Sequence, residues 1–129
     1  MRLFTAALLA VPLMAGPALA TGSISCEGVG DDVSVELTIG SLPVLAIVAA
    51  QVTIGDETWA IGEDGDHEIA VGQAFAEDGR LLADFVDTNF ERVLARLRLV
   101  SASESKDEAR AGTLAIVERG AWPVVCVGP

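Results

Sequence analysis

Apolar and polar residues alternate along most of this chain, with the period of a β-strand. In Val33–Ile39 the apolar Val33, Val35, Leu37 and Ile39 interleave with Ser34, Glu36 and Thr38, which buries one face and leaves the other wet. Gly40-Ser41-Leu42-Pro43 breaks the run. In residues 44–54 every even position is apolar (Val44, Ala46, Val48, Ala50, Val52, Ile54), while the odd positions pass from Leu45 and Ile47 to Gln51 and Thr53. That pattern predicts a strand buried on both faces at its start and on one face at its end. Gly55-Asp56-Glu57 turns into a short strand over residues 58–61, which carries Trp59. The acidic turn Gly62-Glu63-Asp64-Gly65-Asp66 then leads to a returning strand over residues 68–71. Ala76-Glu77-Asp78-Gly79 precedes a strand over Arg80–Val86, which Asp87-Thr88-Asn89 ends.

Residues 90–100 admit two readings. Asn89 suits the cap of a helix whose face is Phe90, Val93, Leu94 and Leu97. Against it, Val93, Ala95, Leu97 and Leu99 alternate with Arg92, Arg96 and Arg98, with Leu94 alone off pattern, and this favours a strand. Residues 101–111 are polar and predict a loop or, at most, a short helical turn. Strands over residues 113–117 and 122–127 close the chain, separated by Glu118-Arg119-Gly120-Ala121. Pro123 cannot donate to a ladder and marks the last strand as an edge. Turns recur about every eight to twelve residues, which predicts an all-β fold: a small antiparallel β-sandwich or barrel formed by residues 21–129 as one domain.

The first twenty residues follow another logic. Met1-Arg2 is a short positive start, residues 3–14 are apolar, and Ala18-Leu19-Ala20 is a small-residue cleavage pattern. Residues 1–20 therefore read as a secretory signal peptide, too short in its apolar run to span a bilayer, and the chain is expected in the periplasm or outside the cell. In that setting Cys26 and Cys126 have one possible pairing, a disulfide joining the terminal strands. It closes a loop of about 100 residues, worth about 4–5 kcal/mol in the chain-entropy picture.

Charge narrows the function classes. The 129 residues hold 19 acids against 8 bases, a net charge of −11. Loss of residues 1–20 removes Arg2 and no acid, leaving seven bases and a charge of −12. Nucleic acid and anionic membrane surfaces are disfavoured, whereas a basic protein or a cation fits. Catalytic chemistry is poorly supplied, because His67 is the only histidine and a serine triad needs one. The turn around His67 reads first as a solvated hairpin tip. The alternation of Asp64, Asp66 and Glu68 makes the same turn a candidate cation site with hard oxygen donors. Asp84, Asp87 and Glu91 cluster about one turn in a way that suits paired carboxylates, although an ion pair from Asp84 to an arginine on a neighbouring strand explains it more simply. Arg92, Arg96 and Arg98 would line one strand face, either paired with acids or forming an anion- or partner-binding stripe. Trp122 is a core cover or an exposed anchor of the kind found at interfaces. No cofactor or resident metal is implied.

Several phrases together resemble an uncharacterised group of small exported bacterial β proteins. They are Gly40-Ser41-Leu42-Pro43-Val44-Leu45, Val71-Gly72-Gln73-Ala74-Phe75, Arg80-Leu81-Leu82 with Asp84-Phe85, and Gly120-Ala121-Trp122-Pro123-Val124 with Cys126. The likeness covers most of the mature chain and implies no activity. Ser25-Cys26-Glu27-Gly28 before an alternating strand, with a Cys in the last strand, also resembles the periplasmic inhibitors of C-type lysozyme, which are small disulfide-pinned β-barrels. That family's serine-glycine-tyrosine loop has no counterpart in a chain without Tyr, so no inhibitory residue carries over. The expectation is a secreted or periplasmic, non-catalytic binding or interaction module with an acidic surface. The alternatives are an inhibitor of a basic lysozyme-type hydrolase and a small-ligand or divalent-cation binding protein.

Overall fold

The computed structural model describes residues 22–30, 32–62 and 65–129. The signal peptide expected over residues 1–20 lies outside them, as do Glu63 and Asp64. Nine strands fill the described residues, and no helix occurs among them. They are β1 (Gly22–Gly28), β2 (Val33–Ile39), β3 (Ile47–Ile54), β4 (Glu57–Ile61), β5 (His67–Glu77), β6 (Arg80–Val86), β7 (Val93–Glu104), β8 (Asp107–Ile116) and β9 (Gly120–Val127). Each pairs with the next in sequence, and β9 returns to β1, so the sheet closes into a barrel. Closure removes both edges, and with them the unpaired backbone groups on which other chains could build.

Inward positions form one core. Cys26, Val35, Val52, Ala83, Phe85, Ala95, Leu97 and Leu114 are completely shielded from solvent, and Leu37, Ile69 and Val124 nearly so. Cys26 and Cys126 stand directly opposite each other in the β1–β9 pairing and form a disulfide, with Cα atoms 4.0 Å apart. A disulfide-bonded chain belongs in an oxidising compartment outside the reducing cytosol. No helix of the described residues is long and apolar enough to cross a membrane.

Three bulges explain where simple alternation fails. Ile39 pairs with Ile47 and Thr38 with Ala49, so Val48 is an extra residue that reverses the parity of β3. Leu45 and Ile47 therefore pack against the core, while Val44 and Val48 are exposed; the expected two-faced burial at the start of this strand does not occur. Leu94 is extra between Val93 and Ala95, which accounts for its lapse from the pattern in what is a strand and not a helix. Gly72 is extra in β5, where any Cβ would press on Val86. Each bulge adds local bend and twist, which a small closed barrel requires.

Further expectations are corrected. Residues 101–111 form no loop or helical turn: they are the far halves of β7 and β8, a hairpin turning at Ser105-Lys106. Its residues 102–109 are exposed because the hairpin outruns the barrel, so neither face needs to be apolar. Residues 62–66 are not a hairpin tip either. A hairpin would make β4 and β5 antiparallel, whereas β5 pairs with β4 in parallel, the one parallel pairing among the described strands. Gly65 rests on the outer side of β4, where a Cβ would crowd Ala60, and this cover buries Ala60 beside the inward Trp59. Pro123 does not mark an edge. Its carbonyl accepts from Val29 just beyond the end of β1, so the missing N–H faces a place where the ladder has already stopped.

At the end of the barrel holding Gly22 and Val127, Arg110 shares the inward parity of Leu114. It donates from Nε to Ser101 Oγ (2.9 Å), from Nη2 to Glu108 (2.8 Å), and from Nη1 to the carbonyl of Gly128. The disulfide should carry much of the stability of this closure. Replacing both Cys26 and Cys126 with Ser is expected to lower the unfolding free energy by about 2–5 kcal/mol, measured by urea denaturation. An unchanged midpoint would show that β1–β9 pairing holds without it.

Candidate functional site

Four connections close the other end of the barrel. These are the β1–β2 loop, the β3–β4 turn at Gly55-Asp56, the β6–β7 loop over residues 87–92, and the β8–β9 turn over residues 117–119. Asp87 builds the third of these. Its Oδ1 accepts the backbone N–H groups of Glu91 (2.7 Å) and Arg92 (3.0 Å), while its own N–H donates to the Arg92 carbonyl (3.1 Å). Those backbone donors, that of Arg92 first, hold its carboxyl below the usual aspartate range.

The closed loop holds Phe90 at a φ of 59°, in the left-handed region that a bulky side chain rarely adopts, and leaves it 65% exposed. Its N–H donates to the Asp87 carbonyl (3.0 Å), so the conformation is fixed. At the same end Val29 is 57% and Val117 48% exposed. Asp32, Asp56, Glu91 and Glu118 stand on the same loops, exposed and free of ion pairs among the described residues. Apolar tips amid acidic groups form the most distinctive surface of the molecule.

Beneath the tips, one side-chain assembly crosses the barrel mouth. Arg119 on the β8–β9 turn forms a two-pronged pair with Glu57 at the start of β4: Nη2 donates to Oε1 at 2.6 Å and Nη1 to Oε2. His67 shares Glu57 Oε1 at 2.5 Å. The His67 ring stacks on Trp59 with centroids 4.9 Å apart, and the Arg119 guanidinium lies 5.5 Å from the Trp59 ring centre. Arg119, then His67, holds the Glu57 carboxyl below its usual range. The assembly braces the loops and engages the only histidine.

The residues singled out from sequence fall in separate places. Asp66 Oδ2 accepts the Thr58 backbone N–H (2.9 Å), which ties the crossover to β4. Glu68 is exposed on β5 and Asp64 lies outside the described residues; no cluster of three potential metal-ligating side chains occurs among those described. Arg96 and Arg98 share the outer face of β7, but Arg92 precedes the Leu94 bulge and belongs to the Asp87 loop, so the three do not line one face. Arg98 Nη1 lies 2.8 Å from Asp84 Oδ1, the cross-strand ion pair expected for that acid. The contact lacks hydrogen-bond alignment, leaving Oδ1 held by charge alone. Asp84 thus pairs with Arg98 on the barrel wall, whereas Asp87 and Glu91 share the β6–β7 loop, where backbone donors take up the Asp87 carboxylate. Trp122 is half-buried, packed against the core, and apart from the arginines.

Phe90, Val29 and Val117 were not recognisable as surface features in the sequence, where Phe90 reads as the start of a strand or helix. The one available sign is an aromatic directly after the breaker Asp87-Thr88-Asn89. Glu57 and Arg119 are 62 residues apart, and no local pattern joins them.

The acid side of the stability curve tests this assembly. A carboxylate with a lowered folded pKa contributes stability above its unfolded value and loses it as pH falls through the folded one. For Glu57 that window begins near its ordinary value of 4.5 and extends downward. Glu57→Gln is therefore expected to melt below the parent at about pH 7, with the gap narrowing as pH falls below the ordinary value of 4.5. An equal gap above and below that value would refute the linkage. Comparison with protein-family models, with curated proteins and with solved structures gives no match, so function rests on the residues themselves.

Proposed function

We propose that this chain is an exported, non-catalytic binding module that docks a basic protein on the loop end of its barrel. The observation that carries the reading is Phe90, held exposed by a closed loop at a strained backbone angle and accompanied by acids without ion pairs. Strain of that kind costs on the order of 1–3 kcal/mol and is retained where a side chain must be presented. Aromatic and aliphatic tips supply the desolvated centre of a contact, and a charged rim supplies steering and partner choice.

The rest of the molecule is consistent with that role. Core side chains fill the interior, so recognition falls to the outside. Arg98, Arg110 and Arg119 are engaged with Asp84, Glu108 and Glu57, and the acids that remain outnumber Arg80, Arg92, Arg96 and Lys106. A net charge of −11 draws a basic partner from beyond contact distance. An inhibitor of a basic cell-wall hydrolase is one form of this reading, because such an inhibitor acts through projecting loops.

Immobilised, oxidised residues 21–129 should retain a basic protein from a periplasmic extract at about 0.05 M salt and release it at about 0.5 M. A C-type lysozyme serves as a defined basic probe alongside the extract. Phe90→Ser should weaken retention by about tenfold or more, as expected of a central aromatic anchor, and Glu91→Lys should slow association. Retention that is indifferent to salt and to Phe90→Ser, or no retention at all, overturns the proposal.

A further inference from the structure

A second surface lies on the barrel wall, away from the loops. The outward residues of β5 to β8 form two rows across the sheet. In one, Phe75 stands opposite Leu82, Leu82 opposite Arg98, and Arg98 opposite Thr113; in the other, Arg80 stands opposite Val100. Between them is a cleft of about 390 Å³, walled by Phe75, Leu82 and Val100, with Arg80, Arg98 and Thr113 bordering it. Its lining is almost wholly apolar apart from the two guanidinium groups. A Cβ at Gly112 would overlap the Arg98 carbonyl oxygen, so the close approach of β7 and β8 on this side depends on glycine.

Phe75 is 48% and Val100 57% exposed, although each faces the other apolar residues of the cleft. Volume and lining match small-molecule sites, in which an apolar wall carries a few polar groups that orient the ligand. The polar groups here are cationic on a chain whose net charge is −11. Arg80 makes no ion pair among the described residues, and every contact of Arg98 runs through Nη1, to Leu97, Ala83 and Asp84. Its other guanidinium nitrogens remain for a ligand.

We propose that this cleft binds an aliphatic carboxylate, a ligand with one anionic group on an apolar chain. The wall buries the chain, and Arg80 with Arg98 takes the carboxylate through forked N–H donors. The acidic remainder of the surface selects the same class. A polyanion meets repulsion from the whole molecule, whereas a single carboxylate seated between two guanidinium groups meets attraction locally and brings apolar surface with it. The cleft does not involve the loop end, so this proposal stands or falls independently of the protein-docking reading.

The test is calorimetric titration of the oxidised protein with octanoate, decanoate and decyltrimethylammonium. Decanoate is expected to bind saturably, one per chain, and about tenfold or more tighter than octanoate, since each buried methylene is worth about fourfold. Arg80→Gln and Phe75→Ser change exposed residues and should each weaken decanoate by about fivefold or more while leaving the melting temperature close to the parent's. Decyltrimethylammonium should not bind. Absence of saturation, equal affinity for the two chain lengths, equal uptake of the cation, or full affinity in both variants would each overturn the proposal.

Discussion

Where β1 meets β9, only four residues on each strand are in register, from Ser25 to Gly28 and from Val127 to Val124. Every other antiparallel junction except β3–β4 carries more. This short seam is nevertheless the place where a nine-stranded ribbon becomes a barrel, and the rest of the structure depends on it. Were the seam open, the inward row of Cys26, Val35, Val52 and Leu97 would lose its enclosure, and two strand edges would face solvent. The Cys26–Cys126 bond sits within those four pairs and holds them in one register. It does so from inside, where both sulfur-bearing residues belong to the core.

Enclosure has a consequence for function. Side chains fill the interior of so small a barrel, and what the molecule presents to partners is its wall and its loops. The two ends then differ in character. At one, Arg110 ties Ser101, Glu108 and the carbonyl of Gly128 together. At the other, Arg119 reaches over Trp59 to Glu57, and the loops beyond that brace carry Phe90, Val29 and Val117 into solvent. Arginine thus braces both mouths, so two of the few basic residues of a strongly acidic domain serve its structure.

Much of the fold was legible in the sequence because burial on one face imposes a period of two, and β2, β6 and β7 show it plainly. The same rule explains the lapses. A bulge adds one residue without adding a signal, so Val48 silently reversed the parity of β3, whereas Leu94 betrayed its bulge by falling off pattern. The far part of the β7–β8 hairpin was misread because a strand that leaves the core has no apolar face to display. The parallel pairing of β4 with β5 was hidden for another reason: an acidic, glycine-bearing segment suits a tight turn and a short crossover equally, and Gly65 packs closely on Ala60. The disulfide was legible by arithmetic alone. The sites were not, since Glu57 and Arg119 meet only after the sheet has closed, and Phe75 and Arg98 share a row only after β6 has paired with both β5 and β7.

One further consequence follows from the approach of Gly22 to Pro129. Gly22 lies so near Pro129 that a side chain on the glycine would touch the proline ring. The order of strands could therefore be renumbered by linking Pro129 directly to Gly22 and opening the exposed turn at Ser105-Lys106. In such a circular permutant Cys26 and Cys126 would be separated by only ~10 residues through the new junction. The crosslink would then give up roughly 2 kcal/mol of its entropic leverage while its geometry stayed the same. The order of strands found here is thus one in which a single crosslink closes a loop holding the whole of β2 to β8.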